Sequence, residues 1–175
     1  CVFAGAAMNE SQMMHALPWN GENVAGWIAT EKLDGCRAYW DGSGLWTRGG
    51  KAIAIPQSWR DALPGTPLDC ELFGGYDTQR AVVAAARYGR IDDTMRLMVF
   101  DAPCHMGDYM TRMACVCSND VVVPVTTTLI NSTDHALAMM RRVQARGGEG
   151  LMVRHPWLTY KSGRTNLMLK MKEEL

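Results

Sequence analysis

Short runs of alternating apolar and polar residues predict that most of this 175-residue chain is β-structure. From Gly26 onward these runs are separated by glycine-rich breaks, and Asp34-Gly35 and the segment 41–44 predict hairpin turns. Pro124 predicts an edge strand or a bend. The predicted strands cover residues 26–33, 36–40, 45–50, 67–75, 95–103, 121–130, 150–156 and 166–174.

Three segments carry helical signals, at residues 56–63, 77–89 and 132–148. Asp77 and Ser132 stand at expected N-caps, and glycines follow the last two segments. Strands do not alternate regularly with helices, so a doubly wound parallel sheet is disfavoured and a mixed α/β domain with many hairpins is expected.

The first 23 residues show little periodicity. We therefore expect an N-terminal lead-in over residues 1–23 and one domain over residues 24–175. Small residues at Ala4 and Ala6 fit the end of a signal peptide over residues 1–7, although no charged segment precedes them. The sequence leaves the location open between the cytoplasm and, in a bacterium, the periplasm.

Charge and cysteine content exclude several classes of protein. The formal net charge is zero, and no apolar run reaches the length of a membrane span. The cysteines form no CxxC pair and the histidines show no ligand spacing, which disfavours a structural zinc site. Isolated cysteines favour a reduced compartment or simple packing over a disulfide framework.

Residues 141–172 contain eight basic residues and one acid, Glu149. Such a segment predicts either a phosphate-facing surface or an ordinary solvated face. No glycine-rich phosphate loop accompanies it, so a nucleotide would have to be held by side chains.

Lys32 is the candidate for covalent chemistry. It lies in an otherwise apolar predicted strand, just before Asp34-Gly35, with Arg37 and Arg48 in the next two strands. A lysine attacks only after it loses a proton, which burial or nearby cations promote. Alternatively, Lys32 is an exposed strand lysine paired with Glu31 or Asp34.

Other polar residues could complete a phosphate site around Lys32. Glu71 and Glu149 could hold Mg²⁺ through carboxylate oxygens. Alternatively, Glu71 lies on the exposed face of a hairpin and Glu149 lies in a turn that ends a helix. Phe100 could stack on a purine or pack in the core. Lys170 and Lys172, two residues apart on a predicted strand, would share one face and suit a triphosphate or a solvent-facing edge.

Six short motifs in order resemble those of the covalent nucleotidyltransferases, which include ATP-dependent DNA ligases, RNA ligases and mRNA capping enzymes. They are Lys32-Leu-Asp-Gly-Cys-Arg37, Thr47-Arg48-Gly49, residues 69–72, Val99-Phe100-Asp101, residues 149–154 and residues 169–172. The segments EKLDGCRAYWDG and GGEGLMVRHP most resemble the corresponding segments of the minimal bacterial and phage-type ATP-dependent DNA ligases. The resemblance implies an α+β nucleotidyltransferase fold with antiparallel sheets flanked by helices, similar to ATP-grasp.

The resemblance implies that Lys32 attacks the α-phosphate of ATP, forms lysyl-AMP, and passes AMP to the 5′-phosphate of a DNA nick. Lys170 and Lys172 would then neutralise the α-phosphate as further catalytic residues, and Glu71 and Glu149 would place Mg²⁺ or Mn²⁺. The ATP or AMP contacts would be Thr30, Glu31, Lys32, Arg37, Arg48, Glu71, Phe100, Glu149, Lys170 and Lys172.

The same resemblance implies contacts to nicked duplex DNA through Arg37, Arg48, Arg154 and Arg164. It also implies a monomer without membrane attachment. In the family an OB-fold domain follows the last motif, and no counterpart lies in the three residues after Lys172. The complete enzyme is expected to carry one, and adenylation and nick binding without it are expected to be weak.

Three alternatives remain open from the sequence. An RNA ligase and a GTP-dependent capping guanylyltransferase share the Lys32 chemistry but differ in base and acceptor. A non-catalytic, ligase-like module that binds nucleic acid is the alternative of another class.

Overall fold

The computed structural model describes residues 10–172 of the chain. The residues of the 1–7 segment, with its predicted signal-peptide remnant, lie outside that range. The strands are β1 (Met14–Pro18), β2 (Ile28–Lys32), β3 (Cys36–Trp40), β4 (Leu45–Thr47), β5 (Ala52–Ile53), β6 (Leu68–Phe73), β7 (Arg96–Asp101), β8 (Val122–Pro124), β9 (Thr128–Leu129), β10 (Gly150–Arg154) and β11 (Gly163–Met171). The helices are α1 (Gln57–Ala62), α2 (Gln79–Tyr88), α3 (Tyr109–Ala114) and α4 (Thr133–Ala145), with a short 3-10 turn at Glu10–Gln12.

The strands form two sheets. The first has five strands in the order β1-β11-β10-β2-β9, and the second has six in the order β5-β4-β3-β6-β7-β8. Pairing is antiparallel except between β1 and β11 and between β7 and β8. The predicted α+β class with antiparallel-rich sheets and flanking helices is confirmed.

The hairpin predicted around Asp34-Gly35 is wrong, because β2 lies in the first sheet and β3 in the second. At this crossover the chain passes close to β6. A Cβ atom added at Gly35 would lie 2.2 Å from the carbonyl oxygen of Leu72. Gly35 therefore serves close approach between sheets, and the turn leaves Lys32 where the two sheets meet.

The hairpin predicted at residues 41–44 is confirmed, since β3 pairs with β4 and Trp40 lies opposite Leu45. Asp41 accepts hydrogen bonds from the backbone N–H groups of Ser43 and Gly44 at 2.8 and 2.7 Å. These bonds fix the turn.

Several local predictions differ from the structure. The lead-in contains β1, whose parallel partner β11 is almost 150 residues away in sequence and so could not be recognised locally. The predicted run 121–130 splits into β8 and β9, which belong to different sheets, with Pro124 in the edge strand β8 as expected. Asp77 is not the N-cap of α2; Thr78 occupies that position, and Asp77 has a left-handed φ of 60°.

The two largest hydrophobic clusters among the described residues lie between helices and sheets. In the larger core, helices α1 and α2 pack on the second sheet, with Trp59, Leu72 and Leu97 among its buried residues. In the other, α4 packs on the first sheet through residues such as Met140 and Val153. Burial of these side chains is the main stabilising contribution to each layer.

A buried ion pair ties the elements beside the site together. Arg112 of α3 donates to both carboxylate oxygens of Asp101 at 2.7 and 2.9 Å, and its remaining nitrogen donates to the carbonyls of Gly107 and Leu158. Since both charges and their hydrogen bonds are satisfied, the pair can remain charged while it is buried.

Among the described cysteines, Cys36, Cys70, Cys115 and Cys117 are free, whereas Cys104 is disulfide-bonded. The expectation of reduced or merely packed cysteines is therefore wrong for Cys104. Within residues 10–172, no helix is both long enough and apolar enough to cross a membrane.

Candidate active site

A cleft of about 740 Å³ opens between the two sheets. It brings together motif residues that are far apart in the sequence; Lys32 and Lys170, for example, are 138 positions apart. Ten of the predicted site residues line it: Thr30, Glu31, Lys32, Arg37, Arg48, Glu71, Phe100, Arg154, Arg164 and Lys170. The other two, Glu149 and Lys172, lie at its end in contact with Lys32 or with each other.

Lys32 is the last residue of β2 and forms an ion pair with Glu149. The pair follows from strand register, because Lys32 lies opposite Gly150, the first residue of β10. The ammonium of Lys172 lies 3.6 Å from the other oxygen of Glu149. Glu149 thus stands between two lysines, and both members of the Lys32 pair are about one quarter exposed to the cleft.

Gly150 allows this convergence. A Cβ atom there would lie 2.2 Å from the carbonyl oxygen of Met171, and the residue has a φ of 152°. A larger residue would push β11 away from the site.

Glu71 lies on the other side of the cleft, on β6. The Gly35 N–H donates to its Oε1 at 3.2 Å. Burial raises the pKa of Glu71 to about 7, against the lowering effects of that N–H, Arg37 and Lys32. The carboxyl group can therefore exchange a proton near neutrality, and it offers oxygen atoms to a sugar hydroxyl or a cation.

Arg37 is held by a carboxylate that the sequence interpretation missed. Its guanidinium donates to both oxygens of Asp69 at 3.1 and 2.7 Å, and to the carbonyl of Met14 at 2.9 Å. Burial would lower the pKa of Arg37, but Asp69 raises it overall. Asp69 could have been found, because it lies two residues before Glu71 on one strand and so shares its face.

Tyr160 completes this group, and no local sequence signal marks it. Its hydroxyl donates to Asp69 at 2.7 Å. Burial and Asp69 together raise the pKa of Tyr160 far above its ordinary value, so the hydroxyl stays protonated as a donor. Arg37 is consequently fixed on three sides, with the ring of Phe100 5.3 Å from its Cζ.

Arg154 is buried in the wall of the cleft. It is 2% exposed. It donates to the Thr30 hydroxyl at 2.8 Å, and its Cζ lies 4.9 Å from the ring of Tyr109 and 5.9 Å from that of Phe100. The predicted contact of Arg154 with DNA stays a prediction, and it would require this buried side chain to become accessible to a phosphate.

The Glu31 carboxylate is already engaged on both oxygens, by the Tyr76 hydroxyl at 2.9 Å and by an ion pair with Arg146. The predicted contact of Glu31 with adenine stays a prediction, and the backbone groups of Glu31 would have to make it. Neither Tyr76 nor Arg146 was expected at the site.

Exposed cations mark the rim of the cleft. Arg48 is about half exposed and forms an ion pair with Glu10, and Arg164 is exposed on β11. Lys170 lies on β11 opposite Met152, whereas Lys172 comes just after that strand ends and contacts Glu149 instead of the cleft. The two lysines therefore do not share one face of a strand as predicted, because Lys172 lies after the end of β11.

Carboxylates suited to a divalent cation are few. Within residues 10–172, no group of three or more His, Cys, Asp or Glu side chains is arranged to hold a metal. Glu149 fits a cation that also binds phosphate oxygens, since its carboxylate is partly exposed and contacts only ammonium groups. Glu71 fits less well, because its pKa near 7 favours partial protonation.

No family model matches the chain. A DNA ligase of Haemophilus influenzae is 29% identical over 174 residues, which cover 95% of this chain and 65% of that protein. A solved structure of Lig E DNA ligases superposes with a TM-score of 0.82 at 25% identity, over 93% of this chain and 68% of the other. This chain is therefore similar in sequence and in fold to DNA ligases, Lig E among them.

More distant ligases share the fold. Chlorella virus DNA ligase-adenylate has a TM-score of 0.77 at 23% identity, covering 93% of this chain and 67% of its own. The bacteriophage T7 ATP-dependent DNA ligase, solved with ATP, has a TM-score of 0.70 at 16% identity, covering 93% and 68%. The chain spans 65% of the length of its Haemophilus relative.

Proposed function

We propose that this chain is the adenylation domain of an ATP-dependent DNA ligase that seals nicks in duplex DNA. The single observation that supports this most directly is the position of Lys32. It lies at the end of β2, in a cleft between two sheets, paired with Glu149 and in a lining to which all six motifs contribute residues. The relationship to DNA ligases supplies the substrate class.

In the first step, Lys32 Nζ attacks the α-phosphorus of ATP. A P–N bond forms, the bond from the α-phosphorus to the bridging oxygen breaks, pyrophosphate leaves, and Nζ gives up a proton. Nζ must lose another proton before this step, because an ammonium has no free lone pair, and its ion pair with Glu149 must open. Lys170 faces the cleft and neutralises phosphate charge.

In the second step, a 5′-phosphate oxygen of the nick attacks the lysyl-AMP phosphorus, the P–N bond breaks, and Lys32 regains its proton. In the third step, the 3′-hydroxyl attacks the 5′-phosphate and releases its proton to solvent, the strand is joined, and AMP leaves with the bond electrons. Both steps need positioning and charge neutralisation more than acid–base chemistry, which fits a site rich in lysine and arginine.

The remaining contacts follow the geometry of the cleft. Glu71 accepts from a ribose hydroxyl, Phe100 stacks on the base, and Thr30 lies beside it. Glu149 would hold Mg²⁺ or Mn²⁺, which when bound supplies positive charge to the phosphate oxygens. Arg48 and Arg164 contact phosphates of the nicked strand, because they lie exposed at the rim. We further propose that the protein acts as a monomer and that the complete enzyme carries an OB-fold domain.

Intact mass tests the covalent step. The wild-type chain and Lys32→Ala are incubated with ATP and Mg²⁺, with Lys51→Ala as the control for an exposed lysine outside the cleft. We expect one added AMP on wild type and Lys51→Ala and none on Lys32→Ala. Adenylation of all three proteins would rule Lys32 out as the nucleophile.

Parallel reactions separate the alternatives that the comparisons do not favour. A GMP adduct without an AMP adduct would indicate a guanylyltransferase. Sealing of nicked RNA but not nicked DNA would indicate an RNA ligase. If wild type gains no AMP, nicked DNA already adenylated at its 5′ end is supplied; failure to seal it would favour a module that only binds nucleic acid.

A further inference from the structure

Arg37 has one nitrogen left to bind an anion in the cleft. Its Nε and Nη2 donate to Asp69 at 3.1 and 2.7 Å, and Nη2 also donates to the carbonyl of Met14 at 2.9 Å. A guanidinium has five N–H groups, so these bonds use three of them. Within residues 10–172 no hydrogen bond involves Nη1, and 20% of the side chain is exposed where Arg37 lines the cleft. The direction of Nη1 is therefore set by the partners of the other two nitrogens.

Asp69, which orients Arg37, has a second donor. Only 1% of the Asp69 side chain is exposed, so donors from the protein must hold it. The Tyr160 hydroxyl donates to Asp69 Oδ2 at 2.7 Å, and the same oxygen accepts from Arg37 Nη2. The hydroxyl oxygen of Tyr160 in turn accepts from the N–H of Met14 at 3.4 Å. Since the carbonyl of Met14 accepts from Arg37, the four residues form a closed ring of hydrogen bonds.

This ring joins the two sheets. Arg37 and Asp69 lie on β3 and β6 of the second sheet. Met14 lies on β1 of the first sheet, and Tyr160 lies in the segment that leads from β10 to β11 of that sheet. Lys32 also belongs to the first sheet. The bonds from Tyr160 and Met14 therefore fix Arg37 relative to Lys32, which Asp69 alone cannot do, because it lies on the same sheet as Arg37.

The fold holds Tyr160 in place from both sides in the sequence. Leu158, two residues earlier, is 1% exposed, and its carbonyl accepts from Arg112 at 2.7 Å. Gly163, three residues later, donates its N–H to the carbonyl of Met13 at 2.9 Å. The hydroxyl of Tyr160 is thus in position before a substrate binds. Donors that are arranged in advance stabilise charge in a reaction without having to reorganise.

We propose that Tyr160 is a positioning residue: through Asp69, its hydroxyl aims Arg37 Nη1 at a phosphate oxygen of the substrate. Tyr160 is not among the residues that line the cleft, so it acts only through Asp69 and Arg37. The phosphate is the α-phosphate of ATP or the 5′-phosphate of the nick, and a guanidinium suits either. This inference rests on the proposed function, since it requires a phosphate beside Lys32.

A double-mutant cycle tests whether Tyr160 acts through Arg37. Two single-turnover rates at saturating substrate are measured for wild type, Tyr160→Phe, Arg37→Ala and the double variant. One is formation of the lysyl adduct with ATP, followed by intact mass. The other is sealing of nicked DNA that is already adenylated at its 5′ end. Slowing of the first rate by Arg37→Ala assigns the phosphate contact to ATP, and slowing of the second assigns it to the nick.

We expect Tyr160→Phe to slow by about tenfold each rate that Arg37→Ala slows, and to cause no further loss when Arg37 is already replaced. If the slowed rate is that of adduct formation, the ATP concentration that gives half the maximal rate should stay close to that of wild type, because positioning acts on the bound complex.

Tyr39→Phe is the matched control. Tyr39 is buried and lies opposite Asp69 on β3, and its hydroxyl has no hydrogen-bond partner in the described part of the chain. Its replacement removes a buried phenol hydroxyl from the same neighbourhood without breaking the ring of hydrogen bonds. Tyr39→Phe should therefore keep both wild-type rates.

Three results would overturn the proposal. The first is a wild-type rate for Tyr160→Phe in a step that Arg37→Ala slows. The second is a pair of losses that multiply in the double variant, which would also reveal a general loss of structure in Tyr160→Phe. The third is that Arg37→Ala slows neither step, a result that does not require Tyr160→Phe to fold. In each case wild type still forms its AMP adduct, whereas a wild type that neither forms the adduct nor seals the adenylated nick would count against the proposed function.

Discussion

Glu71 combines burial with a place beside two cations, and its ionisation should be visible in the stability of the protein. Its folded pKa of about 7 exceeds its ordinary value of 4.5. The folded state therefore binds more protons than the unfolded state between pH 4.5 and 7, and the stability contributed by the protonated form is lost as the pH rises through that window. A pKa that differs by one between the folded and unfolded states changes the free energy of unfolding by at most about 1.4 kcal/mol.

Glu71→Gln removes this titration but keeps the shape. We expect the free energy of unfolding of wild type to fall, relative to that of Glu71→Gln, as the pH rises from 4.5 to 7, by urea denaturation at each pH. Glu22→Gln, on an exposed residue outside the cleft, is the matched control. A difference between wild type and Glu71→Gln that stays constant over the window would contradict the raised pKa.

At single residues, the sequence identified site residues that stand in short motifs, and it missed residues that reach the site only through tertiary packing. Lys32, Glu71 and Glu149 were found because each stands in a recognisable local pattern. Tyr160 was missed because its contact with Asp69 joins positions 91 residues apart. The DNA contact of Arg154 stays a prediction, and the sequence does not show that this side chain is buried.

At the scale of elements, the loop between β6 and α2 crosses the strand that carries Lys32. Tyr76 donates to Glu31 at 2.9 Å, and Gln79 donates to Asp34 at 2.7 Å, so the two bonds bracket Lys32 in the sequence. The left-handed φ of Asp77 turns the loop between them. The two contacts connect the second sheet to the lysine segment of the first and should hold it in place.

A Tyr76→Phe, Gln79→Ala double variant breaks both contacts. We expect adduct formation at saturating ATP to slow by about fivefold, because the segment that carries Lys32 is no longer held in position for attack. The melting temperature should change little because both bonds are exposed. Tyr88→Phe, on an exposed tyrosine at the end of α2, is the control. An unchanged rate in the double variant would show that the loop does not position Lys32.

The helices and most strands could be predicted, whereas the way in which they combine could not. Ser132 caps α4 as expected, accepting from the His135 N–H at 3.1 Å, and Gly89 ends α2 in a left-handed conformation. These are local rules of hydrogen bonding and backbone freedom. The crossover at Asp34-Gly35 was predicted as a hairpin, because an Asp-Gly pair between two strands carries the same local signal whether the strands pair or separate.

On the scale of the whole molecule, the net formal charge is zero although the rim of the cleft carries exposed arginines. The chain has no net formal charge, yet Arg48 and Arg164 are exposed at the edge of the same cleft. The partner of Arg48 is Glu10, and an exposed ion pair of this kind contributes little to stability. DNA phosphates can therefore replace Glu10 at small cost, and nick binding should depend on salt through the rim rather than through the total charge.

Nick binding measured against salt concentration tests this. Each phosphate contact that is lost should reduce the slope of log K against log salt by about one. We expect Arg48→Gln and Arg164→Gln each to weaken binding of nicked DNA by a similar factor whatever its sequence, and the double variant to reduce the slope by about two. Arg87→Gln, on α2 and outside the lining of the cleft, is the matched control and should keep the full slope. If Arg48→Gln and Arg164→Gln both keep the wild-type slope of log K against log salt, the duplex lies on another face of the protein. That result would leave the nucleotide site at Lys32 unaffected.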